Sequence, residues 1–577
     1  MCRNLSIGWL ALLLCSPALP AAAQPSGNVA EKIDVNIVNV DLYVSDRKGN
    51  PVTGLAAKDF QLFEDEKKVK ISNFSRVEDG SDQRASLIIY VDDTHVSAGS
   101  RDNVLDALLP FIEGRMASEG AAVMVVHFGQ ILEVEQDFTR DPDAVRSAFD
   151  AIKLVEPVGE KNLAIERSFR ADAKQTMELL QGGTQNARLG RAALDGVLAS
   201  AQGYAESSRT QTILSAEALT ALARSLGIRP GRKSLYFVGD GLALRPMGDM
   251  MTSFQRQIVS RGGGSGTGDA SVATQTGPPT LGGLGAQTAQ AALPQASDSG
   301  LERYQEALQQ LDSTIYFQRL GAIANASRVT LYPIKPPYVD ASSAGLGKRS
   351  SGSEQPLSNL REAMDLMADS TGGLSMVGGT NVVAFLDRTK EQSAAHYSLG
   401  FAPREKGQSG LHLLRLKGKS RSWRLRYRQS YVTKTQRIRL ADRAVGTLTV
   451  HWIDNPHEID LRVASESQAD DGNYDVTVML SLPISALSLI AEEGIHRASC
   501  QVAVVVLNSE GQLSRPQYLE LPIQIPSQDL EDALLQDFGG TLTLRVPAGT
   551  QRLAVGFWED GAQKGSFVSH EIMVGQG

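Results

Sequence analysis

The chain has 577 residues, 42% of them hydrophobic, and a formal net charge of −8 at pH 7. That mild acidity argues against nucleic acid or an anionic membrane surface as a general partner, and the length exceeds what one hydrophobic core organises, so several domains are expected. After the first two dozen residues, no segment reaches the roughly 18 consecutive apolar residues that a membrane-spanning helix requires.

The first element is an export signal. Met1–Ala23 carries one basic residue, Arg3, then the apolar stretch Ile7–Leu14, then Ala21, Ala22 and Ala23 before Gln24, the three parts of a cleavable secretory signal. Export to the periplasm or beyond follows as the expectation, and loss of Arg3 takes the net charge to −9. Leu14 precedes Cys15, where a lipid-attachment site needs a small residue. Of the three cysteines, cleavage removes Cys2 and Cys15. Cys500 in SCQVAVVVL then stands alone, expected as a buried strand thiol with no internal disulfide.

Residues 30–80 read as a small β module, because Val38, Val40, Leu42 and Val44 alternate with polar neighbours before a turn at Asp46–Pro51. The next segment, LIIYVDDTHV over Leu87–Val96, is the most informative of the chain. An apolar run rich in Ile and Val predicts a strand buried on both faces of a parallel sheet. It breaks into Asp92, Asp93 and Thr94 at the carboxyl end, where open α/β sheets bind ligands. Hard oxygen donors gathered there suit a divalent cation such as Mg²⁺; the simpler alternative is that Asp92 and Asp93 cap the following helix or turn.

Further along, helices are expected near Asn103–Met116, Pro142–Ile152, Leu189–Ala205, Ser215–Leu226, Leu301–Ala326 and Asn359–Asp369. They alternate with strands at Ala121–Phe128, Ser234–Val238, Val329–Ile334 and Tyr397–Phe401. The alternation predicts an α/β unit with a doubly wound sheet over 84–432. It is interrupted at Gly262–Gln295, a stretch rich in Gly, Thr, Ala and Gln and too poor in large apolar residues to pack, expected as a disordered insertion. In Lys417–Arg428, Trp423, Leu425 and Tyr427 alternate with Arg424, Arg426 and Arg428, as in a half-buried edge strand whose charges protect it.

Past Tyr431 the pattern becomes all β. Runs such as LTVHWI, IDLRVA, YDVTVMLSL, CQVAVVVL and RLAVGFWED, separated by turn residues, predict an immunoglobulin-like sandwich over 440–577. The second half of VMLSLPISALSLIAEEG reads equally well as helix.

The order of elements resembles a von Willebrand factor type A domain, whose first strand ends in Asp-x-Ser-x-Ser. A Thr from a later loop and an Asp after a later strand complete its metal-ion-dependent adhesion site. Asp92 matches the first Asp, Thr94 stands for the first Ser, and Val96 takes the second Ser position, where it supplies no ligand. SLYFVGDGL, Ser234–Leu242, resembles the strand and turn that carry the distal Asp, which gives Asp240. GGTQNARLGRAALDGVLAS, Gly182–Ser200, resembles the Gly-Gly-x-Thr loop and helix, which gives Thr184. Asp93 would be a second carboxylate beside the ion, or a solvated turn residue.

More specifically, the chain is similar to the type A-related proteins of the acidobacterial type. Val38–Phe74 carries their Asp-x-x-Gly-x-Pro-Val turn and Asp-Phe-x-Leu-Phe-Glu-Asp signature, and STGGLSM, HYSLGFAP and RLRYRQSYV follow in their order, with Ser430 in place of a Gly. The resemblance implies a von Willebrand factor A-like α/β fold flanked by an amino-terminal β module and a carboxyl-terminal β-sandwich. It also implies an exported binding or adhesion protein holding Mg²⁺ or Mn²⁺ weakly through Asp92, Thr94 and Asp240, with Thr184 and Asp93 as further ligands. A protein partner would complete the metal shell with an acidic residue. The alternative is a metal-independent scaffold of the cell envelope, which Val96 supports.

No Gly-x-Ser-x-Gly elbow, phosphate loop, His-Glu-x-x-His or Cys-x-x-Cys occurs, so no enzymatic chemistry is expected. His95, next to the loop, is expected to face a partner, and His127 and His396 to be structural.

Overall fold

The computed structural model describes residues 37–77, 85–129, 131–181, 184–248, 311–335, 357–379, 381–394, 396–404, 410–450, 454–510 and 512–575. The signal at 1–23 and the insertion at 262–295 lie outside the described residues.

The first β unit is assembled from both ends of a long stretch of chain. Strands β1 (Val38–Ser45), β2 (Phe60–Glu64), β3 (Lys67–Val69) and β4 (Ile71–Val77) come from its amino-terminal side. Strands β11 (His396–Phe401), β12 (Gly410–Gly418), β13 (Arg424–Tyr427) and β14 (Ser430–Thr433) come from more than 300 residues later. They form two four-stranded antiparallel sheets, β13-β1-β11-β4 and β14-β12-β2-β3. Val40, Leu42, Leu62, Leu399, Phe401 and Leu416 fill the space between them. The Asp46 turn works as its sequence suggests: Asp46 Oδ1 accepts from the Lys48 and Asn50 amides at 2.8 and 2.9 Å, and Gly49 takes φ +96°.

Everything between these halves builds a mixed six-stranded sheet. β10 (Met376–Val377), β9 (Val329–Lys335), β8 (Lys233–Val238), β5 (Ser86–Asp92) and β6 (Ala122–Phe128) run parallel in that spatial order, and β7 (Leu132–Thr139) closes one edge antiparallel. Every residue of β5 is buried, because alternate side chains serve two cores. Leu87, Ile89 and Val91 meet α1 (Ala98–Glu119), α2 (Pro142–Leu154) and α7 (Val382–Ala394) on one face. Ile88 and Tyr90 meet α4 (Thr184–Ser225), α5 (Thr314–Ala326) and α6 (Leu357–Thr371) on the other. At roughly 1.5–3 kcal/mol for each fully buried large apolar side chain, these two cores are the main reason the strand sits centrally.

The sheet and the β unit touch through the Thr-Gly-Gly segment. Thr371 Oγ1 accepts from the Leu331 amide at 3.0 Å. A side chain on Gly372 would come within 2.8 Å of the Tyr427 backbone, and one on Gly373 would collide with the Leu331 carbonyl, so only glycine permits this approach.

After β14, helix α8 (Gln436–Val450) leads into a β-sandwich of two antiparallel sheets. One is β15 (Asp460–Gln468), β16 (Tyr474–Pro483) and β20 (Asp537–Val546). The other is β17 (Ile490–Glu492), β18 (Ile495–Asn508), β21 (Gly549–Glu559) and β22 (Lys564–Val574), with β19 (Gln517–Pro526) also on β18. Cys500 is fully buried inside it, and burial, followed by Glu559, pushes its thiol up to about 12.

Two expectations require correction. The chain as a whole is not of the doubly wound α/β class: among the described residues strand is as abundant as helix, and four of the five sheets are antiparallel. The segment 396–433, read as the end of the α/β unit, pairs with β1, β2 and β4 instead, because alternation marks a strand without saying which sheet receives it. Second, LTVHWI does not open the sandwich as a strand, since Leu448–Val450 end helix α8. Leu440, Ala444 and Leu448 of that helix, spaced by four residues, bury against the sandwich.

Candidate functional site

The Asp92–Arg101 segment leaves the carboxyl end of β5 and folds back over it. The Thr94 amide and Oγ1 donate to Asp92 Oδ1 at 3.1 and 2.5 Å, an Asx-type turn. His95 Nδ1 lies 2.6 Å from Thr94 Oγ1 and 3.1 Å from Asp92 Oδ2. The Ser215 hydroxyl, from α4, donates to the same Oδ2. Across the loop, the Asp240 amide donates to the His95 carbonyl at 2.6 Å, and the Ser97 amide donates to Asp240 Oδ2 at 2.8 Å. Neither Asp92 nor Asp93 caps α1: its N-cap is Ser97, whose side chain makes no capping bond.

Each carboxylate has a basic neighbour of its own. His95 stands beside Asp92, Arg101 Nη1 lies 3.4 Å from Asp93 Oδ1, and Lys335 Nζ lies 3.8 Å from Asp240 Oδ1. Arg101 is 1% exposed and is held by the Val155 and Lys153 carbonyls at 2.8 and 3.1 Å and by Asp102. Burial works against ionisation of Asp92, but the His95 charge and the hydrogen bonds from His95, Ser215 and Thr94 outweigh it and hold its carboxyl below the usual value. At Asp93 burial wins, with Arg101 and His127 only partly offsetting it, and the carboxyl is raised.

The cluster is closed from above. The Gly159 amide donates to the Asp93 carbonyl at 2.9 Å, and Asn162 Nδ2 donates to the Thr94 carbonyl at 3.0 Å. A side chain on Gly159 would run into the Val96 backbone. Thus α3 (Gly159–Gln181) begins directly on the loop, and Asp92, Asp93, Thr94 and Asp240 are all buried. Asp93 Oδ2, Asp240 Oδ1, Ser97 Oγ and Ser100 Oγ have no hydrogen-bond partner among the described residues.

Of the residues expected to share an ion, Asp92, Asp93, Thr94 and Asp240 are therefore in one neighbourhood, while Thr184 is not. Thr184 is the first residue of the 42-residue α4. Ser215, the α4 residue on Asp92, lies 31 positions further on, roughly 45 Å at 1.5 Å per residue. The Gly-Gly-x-Thr resemblance placed the threonine on a loop, but Ala, Leu, Arg and Glu make 184–225 one continuous helix. His95 does not face a partner: it turns inward to Asp92. Ser215, Asn162, Arg101 and Lys335 were missed. Nothing local marked them: Ser215 shares its helical stretch 215–226 with Glu217, Thr220, Arg224 and Ser225.

These residues do not fit a divalent ion well. Asp92, Asp93 and Asp240 do not converge closely enough to share one. The acidic and imidazole groups that do, among the described residues, are Glu64, Asp65 and His412, and His127, Glu133 and Glu135. Each of the three carboxylates already has a basic neighbour, and Val96 is buried at the position of the second hydroxyl. The two converging groups are themselves hydrogen-bonded or ion-paired: His412 Nδ1 lies 2.8 Å from Asp65 Oδ2, Tyr431 donates to Glu64, and His127 Nε2 lies 3.2 Å from Glu133.

No family model matches the chain, and no curated protein matches it. Among solved structures, the pilus adhesin SpaC from Lactobacillus rhamnosus GG is 10% identical with a TM-score of 0.23, over 92% of this chain and 58% of that one. The type V pili tip protein Mfa5 from Porphyromonas gingivalis is 10% identical with a TM-score of 0.23, over 93% of this chain and 78% of the three-domain fragment. A Bacteroides uniformis beta-glucuronidase is 11% identical with a TM-score of 0.15, over 34% and 21%. Scores this low establish no common fold, and the SpaC and glucuronidase matches leave much of those chains uncovered. Among the described residues, no helix is long and apolar enough to cross a membrane.

Proposed function

We propose that this is a non-catalytic protein-interaction protein of the cell exterior, related to the von Willebrand factor A type, whose Asp92–Asp240 cluster works without a metal. The ordered motifs from Val38 to Val432 and the export signal support the first part. The observation that carries the second is the pairing of Asp92, Asp93 and Asp240 with His95, Arg101 and Lys335 beneath the 159–162 cover. A buried cluster in which each carboxylate already has a basic neighbour fixes the shape of the loop and leaves little for an ion or a partner carboxylate to satisfy. Interaction then rests on the rim around it, where Leu154 is 89% exposed and Val155 45%; apolar groups standing beside the ligand-binding end of an open sheet suit a protein partner.

The unpartnered oxygens of Asp93, Asp240, Ser97 and Ser100 favour a second reading, in which a small occupant such as a cation satisfies them. Titration calorimetry with Mg²⁺, Mn²⁺ and Ca²⁺ to millimolar concentration, with melting curves in chelator, separates the two. The metal-independent reading expects no saturable heat and no shift in melting. Saturable binding that disappears in Asp92→Asn would overturn it.

A further inference from the structure

A cleft of about 750 Å³ opens where the β unit, the mixed sheet and the sandwich meet. Its lining carries six basic side chains, Arg224, Arg328, Arg428, Lys434, Arg439 and Arg443, and among the described residues one acid, Asp442. Lys434 already takes that acid, Nζ to Oδ2 at 2.6 Å. The guanidinium groups find neutral partners instead: Arg428 donates to the Asn325 and Asn39 carbonyls, Arg439 to Gln436 Oε1, and Arg443 lies 5.3 Å from the centre of the Phe567 ring. Two donors facing this region, Arg428 Nε and Trp558 Nε1, are buried without an acceptor. Like charges gathered this closely disfavour one another, and the carboxylates that offset them from behind, Asp41 toward Arg428 and Asp454 toward Arg443, lie outside the lining.

We propose that this cleft binds a small, multiply charged anion bearing phosphoryl or carboxylate groups. Guanidinium forks suit both oxyanions, because each presents paired N–H donors that match two oxygens of one group. The volume falls within the range of small-molecule sites, which sets the ligand at metabolite size. The cleft walls come from three units, so a bound anion bridges Arg224 and Arg328 to Arg439 and Arg443 and holds the units together. The positive field also reaches behind the cleft: burial, then Arg328, Arg229 and Arg443, push Lys233 down to about 7.

The test uses the full chain with pyrophosphate, citrate and inorganic phosphate as probes, in calorimetry and thermal melting at constant ionic strength, with chloride as the control. Pyrophosphate or citrate should bind saturably and raise the melting temperature more than chloride, and the stronger of the two identifies the phosphoryl or carboxylate class. Arg224→Glu with Arg439→Glu should weaken that binding by about tenfold or more, since each reversal removes a charge-assisted hydrogen bond and adds a repelling carboxylate. Arg462→Glu, a single reversal of the same kind on an exposed sandwich strand, should leave it within about twofold. If the double variant does not fold, Arg439→Gln serves in its place. No saturable binding by any probe at millimolar concentration, or equal weakening by Arg462→Glu, would overturn the proposal.

Discussion

The loop cluster at the end of β5 and the cleft between the units both gather charge, and they handle it in opposite ways. At the loop, three carboxylates meet three basic groups from α1, β9 and the loop itself, and the assembly is buried. At the cleft, six basic groups line the walls with one acid among them, and Arg328 and Arg439 stay exposed to solvent. Balanced charge can be buried and used to fix a backbone; unbalanced charge must remain near water or wait for a counter-ion. The first arrangement belongs to structure, the second to binding.

The sharpest way to break this contrast is Arg101→Met. It removes the partner of Asp93 and frees the carbonyls of Lys153 and Val155, leaving a buried carboxylate uncompensated. The expected loss is about 3–5 kcal/mol, read as a lower midpoint in urea unfolding. Adding Asp93→Asn should recover part of it, because the uncompensated charge is then gone. A loss below 1 kcal/mol would mean that the cluster is not balanced as described. Next in size, Gly159→Ala forces a side chain into the Val96 backbone and lifts the cover from the loop; overpacking of this kind costs about 1–3 kcal/mol. Faster amide exchange at Ser97 and Asp240 would accompany it, and unchanged exchange would show that the cover is not closed.

Sequence made much of this contrast visible, but unevenly. LIIYVDD could be read because a β-branched apolar run ending in carboxylates has few other solutions, and both Asp92 and Asp93 do lie at that strand end. What counters those charges could not be read. Arg101, Lys335 and Ser215 lie 8 to 123 positions from their partners, and nothing local marks an arginine as buried. Pattern alone likewise gave Tyr397–Phe401 as a strand without disclosing that β1 and β4 receive it. The cleft escaped notice for the same reason: its cations come from α4, the turn after α5, the two ends of β14 just outside the strand, and α8, and only the packing of three units brings them together.

The two regions also respond to pH in different windows, with stability rising with pH in each. Asp92 has a lowered pKa, so its contribution is present above the ordinary value of 3.8 and is lost as pH falls below it. Lys233 has a pKa of about 7 against 10.5 in the unfolded chain, so between those values the unfolded state binds more protons and stability rises with pH. One proton of difference gives a slope of up to about 1.4 kcal/mol per pH unit. Urea unfolding between pH 7 and 10 should show this rise, and Lys233→Met should flatten it. A slope unchanged by that substitution would place the titration elsewhere.

The smallest effect on the free protein, and the one that best separates the regions, is Arg439→Gln. At the loop, deleting a charge exposes a partner; at the cleft, it removes one of several like charges, and Arg439 is itself exposed. Among the described residues its side chain donates only to Gln436 Oε1, three residues earlier on the same helix. Stability in low salt should therefore change by no more than about 0.5 kcal/mol, as for other surface substitutions, and any change should be towards greater stability. Raising salt should stabilise the native chain slightly more than the variant, because screening relieves repulsion that the variant has already lost. A destabilisation of the size expected for Arg101→Met would show that the cleft arginines are structural after all, and the division between the two regions would fall.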